Sequence, residues 1–98
     1  MLASGPTSYL TPKIERQMGR RGWSVADIRT TIEMPFTTRP ATNKANGNTA
    51  TAFFNEDGSY LVRDDLTGDI IQVSDRTNPG WVPDSSIENP YRPDDQHE

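Results

Sequence analysis

The spacing of apolar residues predicts a helix near the start of the chain. Thr11 followed by Pro12 is typical of a helix N-terminus, because the threonine side chain caps the first turn and proline already has a helical φ. Ile14 and Met18, four residues apart, lie on one face of that helix. Gly22 suits its C-terminal end, so we expect the helix to cover residues 12–20.

A second helix is predicted directly after the first. Ser24 and Asp27 have the spacing of a capping box, with aspartate in place of the more usual glutamate. Ile28 and Ile32 form an apolar stripe on this helix. Pro35 ends the helix, because proline disfavours helical geometry in the residue before it.

The next part of the chain has the pattern of a polar loop followed by short strands. Residues 35–48 contain two prolines and, after Phe36, no apolar residue larger than alanine, which indicates a loop. Three β-type runs follow, at 49–54, 59–63 and 69–74, and short turns separate them. We therefore expect an antiparallel meander of three strands.

Alternation within these strands predicts two unlike faces on the sheet. It places Ile71 and Val73 on one face and Ile70 on the other. We expect one face to cover the helices and the other to be polar. The predicted fold is α+β, with two short N-terminal helices packed on a small twisted antiparallel sheet.

The length and composition allow one small domain with a thin core. The chain has 98 residues, 32% of them hydrophobic, and a mean hydropathy of −0.80. We expect no cavity large enough for a cofactor, and therefore no cofactor. Residues 1–10 are predicted to be a linker or excision scar, 11–87 the folded domain and 88–98 an acidic flexible tail, with fraying beyond Pro83.

The residue inventory excludes several classes of enzyme. The chain contains no cysteine, and its one histidine, His97, lies in the predicted tail. Thiol nucleophiles, serine–histidine pairs and multi-histidine metal sites are therefore excluded, and we expect no metal site. No apolar run approaches the roughly 18 residues that span a bilayer, and residues 1–4 lack the features of a signal peptide, so no membrane partner is expected for the isolated domain.

Charge is distributed unevenly along the chain. Residues 1–48 carry seven Lys or Arg against three Asp or Glu, a net charge of +4, whereas residues 49–98 carry three against eleven, a net charge of −8. Five of those acidic residues follow Pro83. A polyanion can approach the N-terminal half while the acidic tail stays in solvent, because electrostatic interactions fade over about 8 Å at physiological salt. The alternative is that Arg16, Arg20 and Arg29 only form the solvent-exposed faces of the helices.

The remaining functional groups suit phosphate chemistry. RNA supplies its own nucleophile, the 2′-hydroxyl, so transesterification requires in-line geometry, proton transfers and cations that stabilise charge developing on the phosphorane. One guanidinium group can bind two phosphate oxygens at once. A lysine can exchange protons when neighbouring cations lower its pKa. Composition is compatible with phosphate chemistry on RNA but does not by itself fix a function.

Three sequence elements carry a family resemblance. They are Arg21–Trp23, the Thr-Gly-x-x-x-Gln-x-Ser-Asp run of Thr67–Asp75, and Asn78–Trp81, and they occur in this order. Over about residues 12–87 the chain resembles the ribonuclease domain of the E-group colicins that cut tRNA anticodon loops. It also resembles related C-terminal toxin domains of contact-dependent growth inhibition proteins.

The resemblance implies a fold, an activity and a partner. The fold is the compact α+β fold of barnase, EndoU, colicin and RelE-like ribonucleases. The implied activity is metal-independent cleavage of tRNA in the anticodon loop, which leaves a 2′,3′-cyclic phosphate and blocks translation. The implied partner besides tRNA is a cognate immunity protein, and the implied setting is a larger secreted effector that carries the domain at its C-terminus into the cytoplasm of a target bacterium.

The same resemblance implies three catalytic cations. The catalytic lysine of the family matches Lys13 and the arginine of its Arg-Gly-Trp element matches Arg21. We assign Arg21 to the scissile phosphate and Lys13 to phosphate binding or proton transfer. A further lysine of the family lies in the loop before the first predicted strand, where this chain is shorter, and it matches either Lys44 or Arg39.

Four further residues are predicted to bind substrate. The resemblance matches Val73 to a hydrophobe that contacts substrate and Trp81 to a tryptophan that contacts a base. A tryptophan that only seals the core is the alternative for Trp81. Gln72 and Ser74 offer donors and acceptors for a base edge, with an ordinary solvent-facing strand edge as the alternative.

Trp23, between the two helices, is expected in the core. Arg76 adjoins Asp75, so local ion pairing is expected there.

Two functions besides a tRNA nuclease remain open: a non-catalytic module that binds RNA or protein, and a ribonuclease for another RNA such as ribosome-bound mRNA.

Overall fold

The structure, a computed structural model, describes residues 10–93 as two helices followed by one four-stranded sheet. Each strand pairs antiparallel with the next along the chain. The elements are α1 (Pro12–Arg21), α2 (Val25–Glu33), β1 (Thr37–Thr42), β2 (Thr49–Phe54), β3 (Tyr60–Asp64) and β4 (Ile70–Val73). The predicted α+β class, with two short helices on a small antiparallel sheet, is confirmed.

Local capping chemistry sets the helix ends as predicted. The Thr11 side chain accepts a hydrogen bond from the Ile14 N–H at 3.3 Å. Gly22 ends α1 in the left-handed region with φ 81°. Ser24 and Asp27 form the capping box of α2, with bonds of 2.9 and 3.1 Å between each side chain and the other residue's N–H.

The first strand replaces the predicted polar loop. β1 pairs with β2 along its whole length, from Thr37 opposite Phe54 to Thr42 opposite Thr49. It contains three threonines, which favour strands, and its Pro40 is tolerated because β1 lies at an edge of the sheet. The loop prediction was wrong for residues 37–42, because backbone pairing with β2 rather than apolar content stabilises this strand, whereas residues 43–48 form a turn.

A β-bulge corrects the predicted alternation in β4. Gln72 lies opposite Val62, whereas Ile70 lies opposite Arg63, so Ile71 is the extra residue. The first and last residues of β4 therefore both face the helices, and the prediction that they lie on opposite faces was wrong.

Both faces of the sheet are buried. The helix-side core comprises Ile14, Met18, Trp23, Ile28, Phe53, Leu61, Ile70 and Val73. The second core, on the opposite face, comprises Ala41, Ala50, Ala52, Phe54, Tyr60, Val62, Ile87 and Tyr91. The prediction of a polar second face was wrong, because the C-terminal part of the chain covers it.

The segment after Pro83 packs on the sheet. Ile87 forms a β-bridge with Ala41, and the Tyr91 hydroxyl donates to the Glu56 carbonyl at 3.0 Å. Both Ile87 and Tyr91 are buried. The expected fraying is therefore wrong for residues 84–93. This segment buries Ile87 and Tyr91 against parts of the chain that are distant in sequence, which a local pattern does not report.

The predicted linker and tail lie mostly outside the described residues. That applies to residues 1–9 and 94–98, whereas Leu10 packs against the helix-side core. Over residues 10–93, neither helix has the length and apolar character that crossing a membrane requires.

Two glycines of α1 and its cap should respond in opposite directions to the same substitution. At Gly22, in the left-handed region, a Cβ would be strained and would lie 3.4 Å from the Thr77 side chain, whereas at Gly19 a Cβ would meet no atom within 4 Å. We expect Gly22→Ala to lower the free energy of unfolding by about 1 kcal/mol and Gly19→Ala to raise it by about 0.5–1 kcal/mol. Urea denaturation measures both, and changes of the same sign would contradict the assigned helix end.

Candidate functional site

One side of α1 closes the open edge of β4. Lys13, Gln17 and Arg21 are four residues apart and so share this side of the helix. The Gln17 side-chain oxygen accepts the Val73 N–H at 3.1 Å, and Arg21 Nη1 donates to the Val73 carbonyl at 2.8 Å. Lys13 is exposed, about 12 Å from Arg21 along the helix axis.

Arg21 is held at both its backbone and its side chain. Its guanidinium lies over the ring of Trp81, 4.9 Å from the centroid, in addition to its bond to Val73. Its carbonyl accepts the Arg76 N–H at 2.9 Å. Because a guanidinium has five donors, one bond to Val73 leaves others for a ligand.

The chain after β4 docks on the junction between the two helices. Trp23 is buried as expected, and its indole N–H donates to the Ser74 carbonyl at 2.7 Å. Arg76 lies over the Trp23 ring and forms an ion pair with Asp27 at 2.9 Å. The expected pairing of Arg76 with its neighbour Asp75 was wrong, because the docked segment brings Asp27 within reach.

A buried tyrosine joins several candidate residues. The Tyr60 hydroxyl donates to Gln72 Oε1 at 3.1 Å and accepts the Trp81 indole N–H at 3.2 Å and the Asp84 N–H at 3.1 Å. Burial raises the pKa of Tyr60, so the hydroxyl remains protonated and able to donate. We call Tyr60, Gln72, Trp81 and Asp84 the Tyr60 network.

Lys44 lies beside the Tyr60 network. It is exposed in the turn between β1 and β2, where Nζ donates to Ser85 Oγ at 2.7 Å and lies 3.8 Å from Asp84 Oδ2. Hydrogen bonds from Ser86, together with the Lys44 ammonium, hold the pKa of Asp84 below its ordinary value. The structure thus links Lys44 to Trp81 and, through it, to Arg21.

Arg39 lies at the other edge of the sheet. Its Nε donates to the Asn89 carbonyl at 2.9 Å, and Nη1 donates to Thr37 Oγ1 at 2.6 Å and to the Thr38 carbonyl at 3.0 Å. Of the two candidates for the third cation, only Lys44 contacts a residue of the Tyr60 network among the described residues. We call Lys13, Arg21 and Lys44 the cation group.

A buried carboxylate fixes the turn that carries Lys44. Asp64, at the end of β3, is fully buried and links the β1–β2 turn to the β3–β4 turn. Its carboxylate accepts bonds of 2.8–3.3 Å from the side chains of Asn43, Asn46 and Asn48 and from the N–H groups of Leu66 and Thr67. These bonds, that from Asn43 foremost, hold the pKa of Asp64 well below its usual range.

Two of the predicted substrate-binding residues have buried side chains. Val73 is 0% exposed, and Ser74 is 3% exposed with its Oγ accepting the Tyr60 N–H at 3.0 Å. In this conformation neither side chain is open to a ligand. Gln72 and Trp81 are half-buried and keep surface that a ligand can reach.

A polar cleft of about 600 Å³ borders the Trp81 ring. Among its walls are Asp57, Asp75, Arg76 and Asn78. Across residues 10–93, no three acidic or histidine side chains are grouped closely enough to hold a metal ion. The cleft offers both hydrogen-bond donors and hydrogen-bond acceptors beside the aromatic ring of Trp81.

Comparison with known proteins decides the family. A family model for the colicin E5 ribonuclease domain matches residues 10–86. The chain belongs to this family. Colicin-E5 of Escherichia coli is 34% identical over 94 residues, which cover 85% of this chain and 51% of that protein. The tRNA nuclease CdiA of Burkholderia pseudomallei is 32% identical over 83 residues, 76% of this chain and 6% of that protein.

The match to the colicin E5 ribonuclease domain confirms the resemblance found in the sequence. It covers the whole cation group and the whole Tyr60 network. The chain spans about half the length of colicin-E5 and a small fraction of CdiA. The roles of individual residues stay predictions. For the third cation, the geometry favours Lys44 over Arg39.

Sequence analysis missed several residues of the candidate site. Gln17 was recognisable, because it lies midway between Lys13 and Arg21 at helical spacing. Tyr60 and Asp64 gave no such signal, because each is an ordinary strand residue until its partners from distant turns are known.

Asp64 should make stability depend on pH in the acid range. Its pKa is lower in the folded protein than the ordinary 3.8, so its stabilisation is complete above that value and is lost as pH falls toward the folded pKa. We expect Asp64→Asn to be less stable than the wild type at neutral pH, and to lose less stability between about pH 5 and pH 2. Thermal unfolding across this range measures both effects.

Asp65→Asn is the matched control, because Asp65 lies in the same turn, is exposed and accepts a bond from Thr51. It removes the same charge without opening the buried cluster. An Asp64→Asn curve that coincides with the Asp65→Asn curve would show that the cluster does not stabilise the fold.

Proposed function

We propose that this chain is an antibacterial toxin domain, an endoribonuclease that cleaves tRNA within the anticodon loop. Membership of the colicin E5 ribonuclease domain family and the similarity to a tRNA nuclease support it. The observation that carries the proposal is the placement of Arg21. A guanidinium fixed between a strand edge and an aromatic ring, with donors to spare, suits a phosphate next to an unpaired base.

The proposed reaction is an internal transesterification. The RNA 2′-oxygen forms a bond to the adjacent phosphorus as the bond from phosphorus to the 5′-oxygen breaks, which leaves a 2′,3′-cyclic phosphate and a 5′-hydroxyl. A proton leaves the 2′-hydroxyl and a proton reaches the 5′-oxygen. Cations that stabilise the charge on the phosphorane are the main contribution of the protein.

Arg21 and Lys13 have separate tasks in this proposal. Arg21 binds the scissile phosphate, because its guanidinium is fixed in place before substrate arrives. Lys13 lies about two helical turns away on the same side of α1, where it binds a neighbouring phosphate or transfers a proton.

Lys44 supplies the third cation in this proposal. Its ammonium lies at the far side of the Tyr60 network from Arg21, so RNA that contacts both crosses Gln72 and Trp81. Arg39, at the opposite edge, is assigned no part in cleavage.

Trp81 is the proposed platform for a base. It borders both the Arg21 guanidinium and the polar cleft, so a base stacked on its ring lies next to the phosphate that Arg21 binds. Gln72 is half-buried in the same network and offers an amide to a base edge.

Purified domain incubated with total bacterial tRNA in EDTA, followed by mapping of fragment ends, tests the proposal. We expect discrete cuts in anticodon loops with 2′,3′-cyclic phosphate ends. Arg21→Ala should slow cleavage by about 10²–10³-fold, as loss of a group that stabilises the transition state does, and Lys13→Ala and Lys44→Ala should slow it by at least about tenfold.

Arg29→Ala and Arg39→Ala are the matched controls, because Arg29 is exposed on α2 and Arg39 lies at the β1 edge, so each variant removes one positive charge outside the cation group. They should cleave within about threefold of the wild type, since one exposed charge mainly changes encounter with the RNA. Bound but intact tRNA would favour the binding module, and cuts in mRNA alone would favour another RNA target. Unchanged cleavage by Arg21→Ala would remove Arg21 from the mechanism.

We also propose that an immunity protein neutralises the domain, which acts in the cytoplasm of a target bacterium after delivery as the C-terminal part of a larger effector. The much greater lengths of colicin-E5 and CdiA support such an arrangement. An acidic protein that covers the cation group would exclude RNA by occupying the same charges.

Expression of the domain inside bacteria tests the partner. Growth should stop, and co-expression of the protein encoded next to the toxin gene should restore it, with a 1:1 complex that blocks tRNA cleavage. A complex that leaves cleavage unchanged would place the partner elsewhere on the surface.

A further inference from the structure

We infer that Tyr60 is a positioning residue for the candidate active site: its hydroxyl sets the orientation of Trp81 and of the segment from Trp81 to Asp84, which faces Lys44. The inference deepens the proposed function and rests on it for its consequence in catalysis. The placement of the hydroxyl itself rests on geometry alone.

The Tyr60 ring is fixed by the second core. The side chain is 0% exposed and packs against Phe54 with ring centroids 5.0 Å apart. Its backbone is paired with Ser74, whose N–H donates to the Tyr60 carbonyl at 2.9 Å and whose Oγ accepts the Tyr60 N–H at 3.0 Å. The hydroxyl therefore projects from a rigid position at the start of β3, an inner strand of the sheet.

All the hydrogen-bonding capacity of that hydroxyl is used at the site. A phenol has one donor and two acceptor positions, and Tyr60 donates to Gln72 and accepts from Trp81 and Asp84. One atom thus contacts two predicted substrate-binding residues and the residue that faces Lys44.

Trp81 depends on this bond for its orientation. It lies in a segment without regular structure whose preceding residues, 76–80, are exposed. Its indole ring has two polar contacts among the described residues: the bond to Tyr60 and the Arg21 guanidinium at 4.9 Å. Because Arg21 is also the proposed phosphate ligand, the bond to Tyr60 is the one of these two contacts that has no part in binding phosphate.

Asp84 connects the Tyr60 hydroxyl to Lys44. The Asp84 N–H is bound to the Tyr60 hydroxyl, and its carboxylate lies 3.8 Å from Lys44 Nζ. Loss of the hydroxyl would leave the Asp84 N–H without this partner and free the segment that faces Lys44. Tyr60 therefore acts on both the base platform and the third cation without touching substrate.

Tyr60→Phe tests this role, because it removes one oxygen and keeps the ring in the core. In a ¹⁵N-labelled protein the two indole N–H signals report Trp81 and Trp23 separately, and Trp81→Phe assigns them. We expect Tyr60→Phe to shift the Trp81 signal and speed its hydrogen exchange, and to leave the Trp23 signal in place. For tRNA cleavage we expect kcat/KM to fall about tenfold, with a rise in KM as the larger part.

Tyr91→Phe is the matched control, since Tyr91 is also buried in the second core and its hydroxyl bonds to Glu56. It should lower stability to a similar degree and leave both the indole signals and KM unchanged. An unmoved Trp81 signal in Tyr60→Phe would overturn the inference, as would an equal rise in KM in both variants. Should the wild type fail to cleave tRNA, the proposed function would fall, while the indole signals would still decide the placement of Trp81.

Discussion

The edge of β4, which has no further strand beside it within residues 10–93, is the constraint on which this structure depends. An edge strand presents N–H and C=O groups that need partners, and in this protein the Val73 groups are bound by Gln17 and Arg21 of α1. The bond that closes the sheet edge is also the bond that fixes the Arg21 guanidinium. Fold and candidate site therefore share one interaction, and α1 cannot move from β4 without moving that cation.

The other parts of the candidate site reach β4 from distant parts of the chain. The segment after β4 returns to the helix junction through Trp23 and Arg76, and then brings Trp81 and Asp84 to the Tyr60 hydroxyl. The β1–β2 turn, fixed by the buried Asp64, adds Lys44 from the opposite direction. Charged groups at the surface are thus positioned by buried polar groups. These buried groups keep their geometry because each has a hydrogen-bond partner.

The features that sequence analysis predicted are those set by neighbours in the chain. The Thr11 and Ser24 caps and the Gly22 stop depend on residues within one turn, and each was predicted correctly. The covering of the second face depends on Ala41 meeting Ile87, 46 positions later, and no local pattern reports that contact.

The candidate site shows the same division. The spacing of Lys13 and Arg21 on one helix was visible in the sequence, and the family resemblance supplied their roles. The choice between Lys44 and Arg39 was not visible, because the hairpin turns one of them toward Asp84 and the other toward Asn89. Val73 is buried in the helix-side core and the Ser74 hydroxyl is bonded to the Tyr60 N–H, and periodicity alone does not predict these contacts with distant residues.

The most direct test of this account is an NMR titration of the labelled domain with an anticodon stem-loop RNA. Methylation of every 2′-hydroxyl would prevent cleavage, because the attacking group is then blocked. The account predicts that the largest shifts fall on the Arg21 side chain, the Trp81 indole and the turn that carries Lys44. Shifts confined to the β1 edge around Arg39, with the Trp81 indole unmoved, would contradict it.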